Sequence, residues 1–391
     1  MLNLTNEILE TRSAVHTARE IYQQPDVWQE LFALLAEQEV ALKDFIESIY
    51  KKHDQVRVIF TGAGTSAFAG DTVVPELRRQ NSNAQVQFES IATTDIVSNP
   101  TTYLHQKVPT IMVSFARSGN SPESVAAVSL GEELIQQFYQ VVITCNQEGQ
   151  LAKNVKGDTN SMTVVMPEDV HDQGFAMTSS FTSMVIAAYA LFAEESFTIG
   201  EAKQLIESAA ALRDLTPDTV DDILNFDFER IVYLGSGLLG QLSHEASLKM
   251  LELSAGQVTA IHESSLGFRH GPKSILNDKS VTVLFMSQDP YTRKYDVDIL
   301  RELAADDSGM KIVALTEKKD LEVEALADWM VTVNDGYDRF ANDFQLAVVY
   351  IIFAQTLALK KSLQLGITPD NPSPDGRVNR VVQGVTIYDY E

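Results

Sequence analysis

The stretch Val56-Arg57-Val58-Ile59-Phe60-Thr61-Gly62-Ala63-Gly64-Thr65-Ser66 decides the fold. A short run of β-branched and aromatic residues ends in Gly-Ala-Gly and passes directly into a helical pattern, as a buried parallel strand does when it feeds a helix. Working outward, comparable apolar runs fall at 111–115, 141–144 and 162–166. Helical patterns open between them near Ser66 and Ser121, and an apolar helix over 181–192 closes the series. Strands alternating with helices in this way predict an α/β domain whose doubly wound parallel sheet is covered on both faces.

The same order then recurs. Residues 231–234 lead into Gly235-Ser236-Gly237, 281–285 answer 111–115, 312–316 answer 141–144, and a helix from Phe344 answers the one from Phe181. The offsets all lie between about 160 and 175 positions, which predicts two tandem copies of one domain. Ahead of them, Trp28, Leu31, Leu35, Leu42, Phe45, Ile46 and Ile49 form the stripe of an amphipathic helix. The expected organisation is an N-terminal helical extension (1–52), a first domain (53–199), an acidic helical linker (200–228), a second domain (229–367) and a tail (368–391) set off by prolines.

Composition narrows the function. The 391 residues carry 54 acidic and 30 basic side chains, so the net charge is −24. A chain this negative repels nucleic acid and anionic membranes, and neither is an expected partner. One cysteine, Cys145, allows neither an intrachain disulfide nor a Cys-rich zinc site, and the start of the chain does not read as a secretion signal. A cytoplasmic location is expected. The apolar stretches 184–193 and 347–359 are shorter than the roughly 20 residues needed to span a bilayer and read as buried helices. No histidine and carboxylate cluster has ligand spacing, so no metal or cofactor is expected.

Two strand-to-helix loops of the first copy have the chemistry to hold a small anion. Gly62-Ala63-Gly64-Thr65-Ser66 lets backbone amides approach a ligand and adds two hydroxyls. It completes neither a dinucleotide fingerprint, since Ala67 holds the last glycine place, nor a P-loop. The second loop, Ala116-Arg117-Ser118-Gly119-Asn120-Ser121-Pro122, sets a guanidinium and two hydroxyls between a strand and a helix, with Ser121 at the cap position and Pro122 at the first helical position. Ser121 as a plain cap and Arg117 as a solvated charge would explain that loop alone. Two such loops at adjacent strand ends favour phosphate binding.

Together these loops resemble the phosphosugar-binding signature of the SIS (sugar isomerase) domain family. That resemblance implies a five-stranded, flavodoxin-like parallel sheet, often duplicated, with Thr65, Ser66, Arg117, Ser118 and Ser121 holding a 6-phosphate. In the isomerase half of glucosamine-6-phosphate synthase, which belongs to the family, Ser and Gln stand where this chain has Ala116 and Arg117, so some phosphate contacts are redistributed.

The second copy concentrates the ionisable groups. In the helical pattern over 243–253, Glu245, Lys249 and Glu252 share one side at i, i+4 and i+7, a row that is ordinarily a solvated, salt-bridged face. After it come His262-Glu263 and Gly267-Phe268-Arg269-His270-Gly271-Pro272-Lys273, which puts His270 on a rigid turn. Interconverting an aldose and a ketose requires ring opening followed by proton transfer between adjacent carbons, work suited to a histidine and a partly buried carboxylate. Lys249-Met250-Leu251-Glu252-Leu253-Ser254 and Arg269-His270-Gly271-Pro272 resemble the synthase's Lys-Leu-Lys-Glu-Ile-Ser and Lys-His-Gly-Pro segments. The resemblance implies Glu252 as the isomerising base, His270 as the ring-opening residue delivered from a neighbouring subunit of a homodimer or homotetramer, and Lys249 as a structural or sugar-contacting partner. Gly64, Thr178 and Ser179 match positions near the sugar.

Segments 176–182, 252–256, 266–274, 289–293 and 371–380 are similar to the AgaS group of galactosamine-6-phosphate deaminase/isomerases, also labelled tagatose-6-phosphate ketose/aldose isomerases. Residue 2 is Leu2 and both α/β copies use up the length, so a glutaminase domain is not expected. The expected activity is conversion of galactosamine 6-phosphate to tagatose 6-phosphate and ammonia. The alternatives are phosphosugar isomerisation without deamination, or a phosphosugar-sensing regulator. A regulator would have no need of Glu252 and His270, and the acidic N-terminal helices do not resemble a basic helix-turn-helix.

Overall fold

The computed structural model of the protein describes residues 1–306, 308–382 and 384–390. Three helices come first, α1 (Asn6–Thr11), α2 (Val15–Tyr22) and α3 (Gln24–Lys52). The first α/β copy then runs β1 (Val56–Thr61), α4 (Thr65–Gln80), β2 (Val86–Ser90), α5 (Thr93–Ser98), α6 (Pro100–Tyr103), β3 (Thr110–Ala116) and α7 (Pro122–Leu134). It finishes with β4 (Phe138–Thr144), α8 (Gln150–Asn154), β5 (Ser161–Val165) and α9 (Ser179–Phe192). Helix α10 (Ile199–Leu224) leads into β6 (Arg230–Gly235), α11 (Leu238–Leu253), β7 (Thr259–Ser264), β8 (Ser280–Phe285) and α12 (Thr292–Ala305). The second copy closes with β9 (Lys311–Thr316), α13 (Leu321–Leu326), β10 (Trp329–Thr332) and α14 (Asp343–Gln364).

Both sheets are five-stranded and wholly parallel, with orders β2-β1-β3-β4-β5 and β7-β6-β8-β9-β10. The topologies are the same, and so is local geometry that sequence alone does not reveal. Gly64 before α4 has φ 57° and ψ −129°, and Gly237 before α11 has φ 58° and ψ −128°. Positive φ suits glycine because an L side chain would be strained there. Two positions earlier, a Cβ on Gly62 would lie 2.5 Å from the Ser66 side chain, and one on Gly235 would lie 2.5 Å from the Leu239 backbone. Both strand-to-helix corners therefore require the same two glycines.

Contacts divide the chain into two compact units. One comprises Asp26–Asp172, Ser179–Phe197 and Asp375–Glu391, and the other Met1–Pro25, Gln173–Thr178 and Thr198–Pro374. In the first, β1 and β3 are buried along their whole length, and Phe60 packs on Phe88, Phe115 and Phe192. Trp28 of α3 is fully buried and donates to the Thr182 hydroxyl of α9. In the second unit Tyr233, Phe285 and Tyr350 stack in line, and Asp370 accepts from the backbone amides of His16 and Thr17 at the start of α2.

Helix α14 is longer than its apolar stretch suggests. It is the one helix among the described residues whose length and composition could cross a bilayer, but 94% of its apolar window is buried inside the protein. It serves as the core helix of the second copy.

Candidate active site

In an open parallel sheet a ligand cleft forms where the strand order reverses. In the first sheet that point lies between β1 and β3, where Thr61 is in register with Ser114, so the 62–66 and 116–122 loops leave neighbouring strand ends. Thr65 and Ser66 lie in the first turn of α4 and are buried, and Gly64 caps it. Arg117 is buried too, only 8% exposed. The loop behind it is drawn in tightly, since a Cβ on Gly119 would approach the Gly149 Cα to 3.2 Å. Ser118 accepts from Asn146 Nδ2 at 2.8 Å through its carbonyl and from the Asn120 amide at 3.3 Å through its hydroxyl. Ser121 and Pro122 take the expected cap and first helical positions of α7, but the Ser121 hydroxyl makes no capping bond. The plain-cap explanation of this serine therefore loses its main support.

Ser179 begins α9 and is fully buried, as is Thr178 before it, which belongs to the other compact unit. The Ser179 amide donates to Asp172 Oδ1 at 3.2 Å and the Ser180 amide to Asp172 Oδ2 at 3.0 Å, so a buried carboxylate neutralises the positive end of α9. Burial, with Arg380 and Arg117 nearby, lowers the pKa of His171. Burial and then Asp172 push the Cys145 thiol well up. Asp172, His171 and Arg380 were not selected from the sequence, because their relevance rests on chain crossings that spacing does not encode.

On α11 the row at i, i+4 and i+7 is a buried ion cluster and not a solvated face. Lys249 and Glu245 have fully buried side chains, and Glu252 keeps 22% of its side chain exposed. Lys249 Nζ lies 2.5 Å from Glu252 Oε2 and 3.4 Å from Glu245 Oε1. Burial works to strip the proton from Lys249, yet the two carboxylates outweigh it and hold the pKa above the ordinary lysine value. The ammonium between two carboxylates orients the partly open one, Glu252, at 2.5 Å, a geometry that suits a base facing a ligand.

His270 stands exposed at the end of a short helical turn, Gly267–His270, followed by Gly271 at φ 124°. The turn is rigid for reasons the sequence hid. Phe268 is buried in the core beneath it, Arg269 binds Glu302 at 2.5 Å and Asp298 at 2.8 Å, and Lys273 binds Glu302 at 2.6 Å and Asp306 at 2.8 Å. His262 does not join the Lys249 cluster. It stacks on His244 at 3.9 Å between ring centroids, and burial followed by His262 lowers His244 to a pKa of about 4. Glu263 is taken up locally by the Ser264 amide at 2.7 Å.

The second sheet has its own cleft between β6 and β8, and it is occupied by the protein's own acids. Arg57 pairs with Thr110 and Arg230 with Ser280, so by register Ser287 stands where Arg117 does. Asp296 Oδ1 accepts from the hydroxyls of Ser236 at 2.6 Å and Ser265 at 2.7 Å, and its Oδ2 accepts from the Ser287 amide at 2.9 Å. Asp343 accepts from the Ser287 hydroxyl at 2.5 Å and the Gln288 amide at 2.9 Å. No group of three or more potential metal ligands occurs among the described residues.

A duplicated five-stranded parallel sheet with glycine corners defines a doubly wound α/β class, and the chain belongs to the SIS domain family, whose pattern matches residues 49–194 and 226–360. It is 40% identical over 376 residues to D-galactosamine-6-phosphate deaminase AgaS of Escherichia coli, covering 96% of each chain. Against the protein of the same name from a Shewanella species it is 40% identical over 391 residues, covering all of this chain and 96% of the other. The crystal structure of tagatose-6-phosphate ketose/aldose isomerase from Escherichia coli superposes with a TM-score of 0.87 at 37% identity, covering 96% of this chain and 97% of that one.

Proposed function

We propose that the protein is an amino sugar phosphate deaminase/isomerase that converts galactosamine 6-phosphate and water to tagatose 6-phosphate and ammonia. The observation that carries this reading is the buried Glu245–Lys249–Glu252 cluster, which leaves one oriented carboxylate partly open on a chain similar over nearly its whole length to galactosamine-6-phosphate deaminases.

Thr65, Ser66, Arg117, Ser118 and Ser121 hold the phosphate, and Gly64, Thr178 and Ser179 border the sugar. His270, supplied by a neighbouring copy in an assembly of at least two chains, moves the proton that opens the ring and frees the C1 aldehyde. Glu252 takes the C2 proton to give an enolamine and returns a proton to C1, producing a C2 imine. Water adds to that imine, the C–N bond breaks, and ammonia leaves the ketose phosphate. Lys249 keeps Glu252 aimed through their 2.5 Å contact. No cofactor enters the scheme.

Adding galactosamine 6-phosphate to the pure protein should release ammonia in step with ketose. Ketose without ammonia would leave a plain isomerase, and neither product would remove the enzymatic reading.

A further inference from the structure

The C-terminal tail touches the proposed phosphate loop at Arg117. Arg117 Nη2 donates to the backbone carbonyl of Arg380 at 2.7 Å. The Arg380 guanidinium in turn donates to the backbone carbonyl of Asp172, whose carboxylate caps α9. Residues 375–379 form a self-bonded turn leading to this point, with the Arg377 amide on Asp375 Oδ1 at 3.1 Å and Asn379 Nδ2 on the Gly376 carbonyl at 3.0 Å. Through Arg380 the tail joins the loop after β3 to the start of α9. All of these residues lie in one compact unit.

We propose that Arg380 is a positioning residue that sets Arg117 for anion binding. A long side chain ordinarily loses rotamer freedom when it grips a ligand, and fixing it beforehand removes that cost. A guanidinium is a rigid planar fork, so a bond to a tail carbonyl helps fix the plane in which it meets a phosphate. Arg380 holds that carbonyl in place through its own bond to Asp172. The inference rests on the reading of Arg117 as a phosphate ligand but not on the chemistry proposed for Glu252 and His270.

The test uses the full chain with inorganic phosphate as the probe, measured by calorimetry, alongside turnover of galactosamine 6-phosphate. Arg380→Ala should weaken phosphate binding and raise KM by about tenfold with kcat within about twofold, and Arg380→Lys should recover much of the loss because its ammonium still reaches a carbonyl. Since Arg380 acts through Arg117, Arg117→Ala with Arg380→Ala should bind phosphate as weakly as Arg117→Ala alone. Unchanged or tighter phosphate binding in Arg380→Ala, or full additivity in the double variant, overturns the proposal. Wild-type protein that fails to bind phosphate overturns it together with the role of Arg117. Phosphate binding that follows this pattern in a protein releasing no ammonia supports the Arg380 proposal and removes only the deaminase reading.

Discussion

The two switch-point clefts start from the same backbone and diverge in what fills them. The first has Thr65 and Ser66 after its glycine corner and Arg117 on the adjacent loop, whereas the second has Leu238 and Leu239 after its corner and Ser287 in the register position of Arg117. The second cleft turns its amides and hydroxyls toward Asp296 and Asp343. One copy keeps donors in the pattern that suits an outside anion, and the other binds anions covalently part of the chain. Leucines beside the corner also remove the hydroxyls that a soluble phosphate would need.

Several measurements would break or sharpen this contrast. The largest effect is expected at Glu252, where Glu252→Gln should cut ammonia release by about a thousandfold in kcat while phosphate affinity stays near wild type. A near wild-type rate would remove Glu252 as the base. Asp296→Ala strands three donors in a cleft where the carboxylate is only 1% exposed, and it should cost about 3 kcal/mol in urea unfolding. A loss below about 1 kcal/mol would mean that the second cleft does not depend on its internal anion. Arg117→Ala, on the proposed role of that guanidinium in holding the phosphate, should raise KM about thirtyfold.

The smallest effect concerns pH. Burial raises the Asp343 carboxyl from an ordinary 3.8 to about 6. Below both values folded and unfolded chains are protonated alike. Between them only the unfolded chain ionises, so the stability held by the protonated carboxyl is lost as pH rises through about 6. Asp343→Asn, which cannot ionise, should therefore gain a few degrees in Tm relative to wild type between pH 4 and pH 7. A difference that stays constant with pH would show ordinary titration at Asp343.

The central strands and the glycine corners were legible because both faces of β1, β3, β6 and β8 are buried, which leaves unbroken apolar runs. The strands β2, β7 and β10 sit at or next to a sheet edge in half-exposed positions, so their mixed sequences do not stand out. The Glu245, Lys249 and Glu252 spacing could be read directly, since helix geometry alone brings those side chains together. Its burial could not, because that depends on what packs over α11. Arg380 and Asp172 lie 208 positions apart, and only the path of the folded tail joins them.

Helix α12 has two duties. Asp296 on its first half locks into the second cleft, while Asp298 and Glu302 farther along grip Arg269 and Lys273 on either side of His270. A metabolite entering and leaving that cleft would shift this helix and drag the histidine with it. With that cleft filled from within, His270, the proposed ring-opening residue, keeps one orientation at every sugar concentration. Kinetics governed by that residue should therefore follow simple saturation, with no activation arising from a ligand in the duplicated half.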